Sequence, residues 1–300
     1  MKTFDFKKID AFTRGASSGN PAGYVHLQAL QDITADEMQK IARELKGFVN
    51  EVGFVAQTKE DEFELRYYSS EREVEFCGHA TIAIMYDLAI NDKRLCQFPE
   101  LKIHTNMGKL AVQNRVETDD CVFILSPPPV KIEAVPTREE LCLSLNIEGN
   151  LLNGDLPIEV INAGLNTLVV PVSDLSSIIA IKPELSSLNT FCEKNGLDII
   201  IVFTEDTVDQ RSDFRTRVFA PTYGYLEDPA TGSGNSALGN YLIDHGIWSG
   251  NSLRIEQNGE LEGFNTVELL KEFSNGSNVW FGGAAVVRIE GKYLLQDAKF

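Results

Sequence analysis

The sequence predicts an α+β fold built from two similar halves. Two stretches of small residues, 75–81 and 227–235, each lead into an apolar pattern with helical spacing. Each is preceded by a strand pattern that ends in a polar loop, at residues 66–70 and 217–221. A period near half the chain is too long for a solenoid and indicates a duplicated domain. Because hairpins are mixed with helices along the chain, the order favours α+β over a parallel doubly wound sheet.

The first half begins with a strand pattern and a loop of small residues. Thr34 and Glu37 form a capping-box pattern that predicts a helix, and Gly47 ends it. A loop with so few side chains lets backbone approach a ligand or another loop closely. The remaining predictions are a strand over 3–10, the loop over 15–23, a hairpin of residues 50–56 and 63–68, a helix after the first small-residue turn, and strands over 101–106, 109–116 and 121–125.

Consecutive prolines at 127–129 predict the end of the first domain, since proline has no N–H for a central strand. We therefore expect domains over 1–126 and 127–283, with a C-terminal strand over 284–300 that packs on the first. In the second half we expect helices near 137–145, 174–181 and 183–195, a helix after the second turn, and strands near 158–163, 167–172, 198–203, 214–219, 253–257, 267–270 and 284–289.

Composition excludes several classes of function. The chain has 300 residues, 43% hydrophobic content and a formal net charge of −17. No Lys/Arg cluster offers a face for phosphates, so we expect no nucleic-acid partner and no docking on anionic membranes. The N-terminus lacks the apolar region of a signal peptide, so we expect a cytoplasmic protein. The five cysteines are widely spaced and contain no Cys-x-x-Cys pair, which indicates neither a disulfide framework nor a zinc cluster.

Three ionisable residues are candidates for chemistry. Glu51 lies among hydrophobic residues at a strand end, where burial would raise the pKa of its carboxyl toward that of a proton shuttle; an exposed strand-end glutamate is the alternative. His79 lies in the first helix-opening turn, where it either serves a substrate or is structural. Asp228 precedes Pro229 and either caps its turn or faces a ligand.

The two helix-opening turns are candidate anion sites. A helix N-terminus offers unpaired N–H groups and a partial positive charge, so termini at Gly78 and Gly232 could together hold a carboxylate. Cys77 is a candidate for a thiol mechanism, but the position assigned opposite it in the second half is Ala230, so the sequence offers no second thiol for a two-cysteine mechanism. Metal-assisted hydrolysis through His79 and Asp228 lacks a third ligand at a recognisable spacing.

The motifs resemble those of the phenazine-biosynthesis PhzF-like proteins, relatives by fold of diaminopimelate epimerase and proline racemase. The resemblance spans nearly the whole chain. It is carried by Gly19-Asn20-Pro21-Ala22-Gly23, Asn50-Glu51-Val52-Gly53-Phe54-Val55, Glu75-Phe76-Cys77-Gly78-His79-Ala80-Thr81, Arg217-Val218-Phe219-Ala220-Pro221 and Glu227-Asp228-Pro229-Ala230-Thr231-Gly232-Ser233.

This resemblance implies two similar domains, each a barrel-like sheet around a central helix, with the active site in the cleft between them and a homodimeric assembly. It also implies an isomerase without cofactor or metal, in which the glutamate matching Glu51 moves a proton on a small carboxylate-bearing substrate. His79 and Asp228 match its catalytic partners. The candidate substrate-binding positions are Asn20, Gly78, Gly232 and Ser233.

One stretch departs from the family pattern. Residues 258–265 lack the Arg-Pro-Ser that often follows the strand at 255–257 in family members, so the family's substrate is not carried over to this chain. Because many relatives come from organisms that make no phenazine, we do not predict phenazine synthesis. The sequence therefore predicts a cofactor-independent isomerase or epimerase of a small carboxylic acid. The alternative is a protein that binds an amino acid or cyclic carboxylate without turnover.

Overall fold

The computed structural model describes residues 1–272 and 278–296. The chain divides into two compact units: unit 1 is residues 1–125 with the segment from 282 onward, and unit 2 is residues 126–281. Residues 297–300, which the sequence analysis included in a C-terminal strand, lie outside the described residues.

The strands of the described residues are numbered in chain order. They are β1 (Lys2–Ala11), β2 (Asn20–Leu27), β3 (Glu51–Gln57), β4 (Glu62–Ser69), β5 (Glu73–Val74), β6 (Glu100–Thr105), β7 (Gly108–Arg115), β8 (Cys121–Leu125), β9 (Val130–Ile132), β10 (Glu159–Asn162), β11 (Asn166–Pro171), β12 (Ile199–Thr204), β13 (Phe214–Phe219), β14 (Glu227–Asp228), β15 (Ser252–Gln257), β16 (Asn265–Glu272), β17 (Asn278–Gly283) and β18 (Ala285–Leu295).

The α-helices are numbered in the same way. They are α1 (Ala35–Glu44), α2 (Gly78–Asn91), α3 (Val116–Asp119), α4 (Arg138–Leu145), α5 (Leu175–Ala180), α6 (Leu185–Asn195) and α7 (Gly232–Asp244). Among the residues described, none of these helices combines the length and apolar character needed to cross a bilayer.

Unit 1 is a mixed sheet in which β18 and β2 flank β1. From β18 the ladder runs through β1, β2, β3, β4, β6 and β7 to β8. The β2–β3 and β4–β6 pairings are parallel, whereas the others are antiparallel. The short strand β5 adds to β4 just before α2 begins.

Unit 2 repeats this pairing pattern. Its ladder runs from β9 through β10, β11, β12, β13 and β15 to β16, with parallel pairings at β11–β12 and β13–β15. The two-residue strand β14 adds to β13 just before α7, as β5 adds to β4 before α2. Because pairing order, direction and helix position all recur, the predicted duplication corresponds to two copies of one fold, and the α+β prediction is confirmed.

One helix in each unit is almost completely buried. The buried residues of α2 and α7 cover nearly the whole circumference of each helix, as expected for a helix enclosed by protein rather than lying on a surface. α2 contacts β1, β2 and β3, and it also contacts β18 and β8 at the two ends of the ladder. A sheet whose two ends reach the same helix curves around it, so the predicted barrel-like sheet with a central helix is confirmed.

Four other helices, α1, α4, α5 and α6, pack on the outer faces of the sheets. In unit 1, Met38, Ile41 and Ala42 of α1 pack in a cluster with Phe4, Phe54 and neighbouring side chains of the sheet. The predicted capping box is present, because the Glu37 N–H donates to Thr34 Oγ1 (3.3 Å) and the Thr34 N–H donates to a Glu37 carboxylate oxygen (2.9 Å). In unit 2, α4, α5 and α6 supply the corresponding layer.

The structure corrects one sequence prediction and adds four strands that were not predicted. The loop predicted over 15–23 is shorter, because β2 begins at Asn20 and pairs with β1. Gly19 explains the small residues there: it has φ +72°, and a Cβ on it would lie 2.7 Å from Asp10 Cβ and 2.8 Å from the Ala11 carbonyl oxygen. The close approach is therefore to neighbouring backbone and side chains. β9 and β17, as well as the two-residue strands β5 and β14, had no sequence prediction.

Candidate active site

Glu51 is the first residue of β3, in the interior of the unit 1 sheet. Its backbone pairs with Ala22 of β2 on one side and Ser69 of β4 on the other. Strands on both sides fix the position of its Cα, and the Glu51 side chain is only 24% exposed. The carboxyl group is thus held on a rigid element, with part of the side chain exposed.

The first turn of α2 is anchored to the same sheet. Cys77 is the N-cap residue, and its carbonyl accepts hydrogen bonds from the Thr81 N–H (3.0 Å) and the Thr81 hydroxyl (2.7 Å). The Thr81 hydroxyl also lies 2.6 Å from the hydroxyl of Tyr67, a fully buried residue of β4. Since β4 pairs with β3, this chain of contacts fixes the helix start relative to Glu51.

The structure brings Glu51 and His79 together. His79 Nε2 lies 3.3 Å from Glu51 Oε2, and the imidazole is 14% exposed. Burial lowers the pKa of His79 from 6.5 to about 4, against a smaller opposing effect of a hydrogen bond to the Pro21 carbonyl. His79 is therefore neutral at neutral pH. A neutral imidazole has one N–H and one lone pair, so it can donate to the Glu51 carboxylate or to the Pro21 carbonyl, but not to both at once.

Cys77 completes a cluster with these two residues. Its Sγ lies 3.5 Å from His79 Nδ1 and 3.9 Å from His79 Nε2. Ligand atoms of Glu51, Cys77 and His79 all lie within 4.8 Å of one another, a grouping that could hold a metal ion. The sequence analysis considered only His79 and Asp228 as a metal pair and missed this cluster.

Asn20 lies at the start of β2, two residues before the partner of Glu51. It is 1% exposed and pairs with Ala11 of β1. The next residue, Pro21, supplies the carbonyl that accepts a hydrogen bond from His79. The predicted unit 1 residues Asn20, Glu51, Gly78 and His79 therefore lie on three neighbouring segments of one sheet and its central helix.

In unit 2, Asp228 ends the short strand β14 and is 9% exposed. Its Oδ2 accepts a hydrogen bond from the Thr231 hydroxyl (2.6 Å). Its backbone carbonyl accepts one from Gln257 Nε2 (2.9 Å). Both the carboxylate and the backbone of Asp228 are thus oriented by neighbouring side chains.

Gln257 is the hub of the polar network behind Asp228. It is completely buried at the end of β15, and its Oε1 accepts hydrogen bonds from the Thr231 N–H (3.1 Å) and Asn235 Nδ2 (2.6 Å). Asn265 Nδ2 donates to the Pro229 carbonyl (2.7 Å). The sequence analysis gave no role to Gln257, Asn235 or Asn265. The sequence could have indicated these residues, because an amide side chain inside an apolar helix or at the end of an apolar strand becomes buried on folding. A buried amide then needs hydrogen-bond partners.

The first turn of α7 corresponds to that of α2. Thr231 and Cys77 are the two N-cap residues, so Thr231, not Ala230, is the counterpart of Cys77 and the earlier assignment is wrong by one position. Gly232 and Ser233 then match Gly78 and His79, as predicted. The counterpart of Glu51, the first residue of β3, is Ile199, the first residue of β12. The positions of unit 2 that correspond to Cys77 and Glu51 thus supply neither a second thiol nor a second carboxylate.

The sequence profile of a family described as phenazine biosynthesis-like protein (PhzC-PhzF) matches residues 9–291. The chain belongs to this family. Among similar proteins, the uncharacterized isomerase YfhB of Bacillus subtilis (strain 168) is 32% identical over 292 residues, covering 95% of this chain and 97% of that protein.

Solved structures agree with the family assignment. A phenazine biosynthesis protein of the PhzF family from Bacillus anthracis is 28% identical and has a TM-score of 0.85, covering 98% of this chain and all of that one. A hydroxyproline epimerase from Agrobacterium vitis, with trans-4-hydroxy-L-proline bound, is 14% identical and has a TM-score of 0.57. The comparison covers 98% of this chain and 93% of the epimerase chain. The second likeness shows that PhzC-PhzF proteins share their fold with an epimerase.

Proposed function

We propose that this PhzC-PhzF protein is an isomerase that needs no cofactor and moves a proton on a small carboxylic acid, with Glu51 as the general acid and base. The observation that carries the proposal is the 3.3 Å contact between Glu51 Oε2 and Nε2 of a partly buried, neutral His79. The isomerase name of the Bacillus subtilis relative supports the class of reaction.

The proposed step begins with ionised Glu51. The carboxylate takes a proton from a carbon of the substrate, the C–H bond breaks, and its electron pair delocalises toward the substrate carboxylate. Protonated Glu51 then returns the proton to a carbon of the same conjugated system. His79 can donate to the carboxylate form of Glu51 as the tautomer with its N–H on Nε2, and it can accept from the acid form as the other tautomer.

Charge that develops on the substrate carboxylate needs hydrogen-bond donors. The N–H groups at the start of α2, near Gly78 and His79, are not used within the helix and carry a partial positive charge. The N–H groups near Gly232 and Ser233 have the same property. We assign these groups to carboxylate binding and Asn20 to substrate contact, as the family resemblance implies. Asp228 is assigned a supporting part in proton movement.

A single base works on one face of a substrate. Inversion of a stereocentre requires a second proton carrier on the opposite face, and the duplicated position of Glu51 is Ile199. The simplest reaction for Glu51 is therefore movement of a double bond along one face of an unsaturated carboxylic acid. Stereoinversion, in contrast, would require Asp228 to act as a second carrier.

The test is deuterium exchange in D₂O. The protein is incubated with a panel of amino acids, diaminopimelate and cyclic unsaturated carboxylic acids, and mass spectrometry reads deuterium uptake. For a substrate found in this way, Glu51→Gln should lower uptake by about 10²–10⁴-fold, the usual contribution of a positioned proton-transfer group. The matched control is Glu60→Gln, because Glu60 is exposed in the β3–β4 turn.

Either of two results would overturn the proposal. Turnover that is unchanged in Glu51→Gln would remove Glu51 from the chemistry. Ligands that raise the melting temperature of the wild type without any deuterium uptake would instead favour a binding protein without turnover. The control Glu60→Gln should behave like the wild type in either case.

A further inference from the structure

The cluster of Glu51, Cys77 and His79 has the donor chemistry of a metal site. It offers one sulfur, one imidazole nitrogen and one carboxylate oxygen, all within 4.8 Å of one another. Cys77 is 8% exposed, and the three side chains come from β3 and the first turn of α2. Soft thiolate and borderline imidazole ligands select zinc-like ions over Mg²⁺ or Ca²⁺, which prefer oxygen alone.

The separations fit tetrahedral zinc. Zinc binds sulfur at about 2.3 Å and nitrogen or oxygen at about 2.0–2.1 Å, so tetrahedral ligands lie about 3.3 Å apart for nitrogen and oxygen and about 3.6 Å apart for sulfur and nitrogen. His79 Nε2 lies 3.3 Å from Glu51 Oε2 and 3.9 Å from Cys77 Sγ. All three pairs of ligand atoms lie within 4.8 Å, so the side chains, Cys77 in particular, would have to move closer together around the ion.

The hydrogen bonds that hold His79 and Cys77 in place are a second observation. Metal-binding histidines usually donate their other ring N–H to a carboxylate or backbone carbonyl, which fixes the ring. The Pro21 carbonyl accepts a hydrogen bond from the His79 ring. Cys77 is also fixed, because its own carbonyl accepts two hydrogen bonds from Thr81. The ligands are thus supported by neighbouring backbone and side chains before any ion arrives.

We propose that Glu51, Cys77 and His79 bind one zinc ion per chain, with the fourth coordination position open. On binding, the Cys77 S–H bond is replaced by a sulfur–zinc bond and its proton leaves to the buffer. The thiolate and the carboxylate balance the charge of the ion. Because the ion takes the carboxylate of Glu51, it inhibits the isomerase; this consequence rests on the proposed function, whereas the binding site does not.

Binding is tested first, without any substrate. Isothermal titration of the metal-free full-length protein with Zn²⁺ should give one site per chain. Cys77→Ala and His79→Ala should each weaken binding by at least about 100-fold, since loss of even a supporting contact costs about 10–100-fold. Cys96→Ala is the matched control, because Cys96 is a partly buried free cysteine of unit 1 outside the cluster.

Cobalt supplies a measurement that needs no variant. Co²⁺ added to the metal-free wild type should produce thiolate-to-cobalt charge-transfer absorption, and Zn²⁺ should displace it. Absence of this absorption, or unchanged Zn²⁺ affinity in Cys77→Ala, overturns the site. Equal loss of affinity in Cys96→Ala would also overturn it.

Inhibition is tested separately by deuterium exchange on a substrate found with the wild type. One equivalent of Zn²⁺ should abolish uptake, and a chelator should restore it. Zinc bound at Cys77 with full uptake would refute inhibition and leave the site in place. Zinc bound there with no substrate anywhere in the panel would count against the proposed function and not against the zinc site.

Discussion

Replacing Gln257 by leucine should strongly destabilise unit 2. The substitution keeps a similar volume but leaves three buried partners without Gln257: the Thr231 N–H, the Asn235 amide and the Asp228 carbonyl. Each buried polar group that loses its partner costs about 1–3 kcal/mol. Allowing for partial relaxation, we expect a loss of about 3–5 kcal/mol, which is a large part of the stability of an ordinary domain.

The chain provides a selective probe for this measurement. Trp248 and Trp280 are its two tryptophans, and both are buried in unit 2. Urea unfolding followed by tryptophan fluorescence therefore reports the unfolding of unit 2. Gln257→Leu should lower the free energy of unfolding without a large change in the urea slope, because the surface exposed on unfolding is nearly the same.

The control for this prediction is Gln210→Leu, the same substitution at an exposed glutamine of unit 2. It should change the unfolding free energy by less than about 0.5 kcal/mol. A Gln257→Leu effect no larger than that of the control would refute the reasoning that Gln257 holds Asp228 and the start of α7. Gln257→Glu offers a further check: its acid form retains a donor for the Asp228 carbonyl, so this variant should regain stability as the pH falls.

Two further predictions concern His79 and Gly232. Burial lowers the pKa of His79 from 6.5 to about 4, so the unfolded chain binds a proton there at a higher pH than the folded chain does. The free energy of unfolding of the metal-free protein should therefore decrease by up to about 3 kcal/mol as the pH falls from 6.5 to 4. An NMR titration of the His79 ring with a midpoint above 6 would contradict this prediction. A Cβ on Gly232 would lie 2.3 Å from the buried ring of Phe281, so Gly232→Ala should destabilise unit 2 by about 1–3 kcal/mol in the same fluorescence assay. The control Gly154→Ala, with open space around its Cβ, should not destabilise unit 2. Equal effects of the two substitutions would contradict the steric argument.

The elements that sequence reasoning predicted well are those with local signals. The capping box at Thr34 predicts the start of α1 within a few residues, and the small-residue turns predict the starts of α2 and α7. The strands β5 and β14 have two residues each and no periodicity of their own. They exist because β4 and β13 offer them hydrogen-bonding partners, which a linear pattern does not reveal.

The candidate site was predictable only in part. His79 was indicated by its place in a helix-opening turn and Glu51 by the family resemblance, but their contact depends on the pairing of β3 with β4 and on the anchoring of Thr81 by Tyr67. Gln257 lies 29 positions beyond Asp228, and its role depends on where β15 ends. Long-range register of this kind is set by the packing of the whole unit, so sequence spacing alone does not specify it.

The pairing of β1 with β18 has a consequence for synthesis of the protein on the ribosome. Unit 2 is a continuous stretch that precedes β18, so it can complete its fold while β18 is still being added. Unit 1 waits for β18, which pairs with β1 from Lys2 to Leu295 across nearly the whole chain. Until then the nascent protein carries an open strand edge at β1, the kind of edge that invites pairing with another chain. Closure of this edge therefore has to wait until β18 has been synthesised and has left the ribosome.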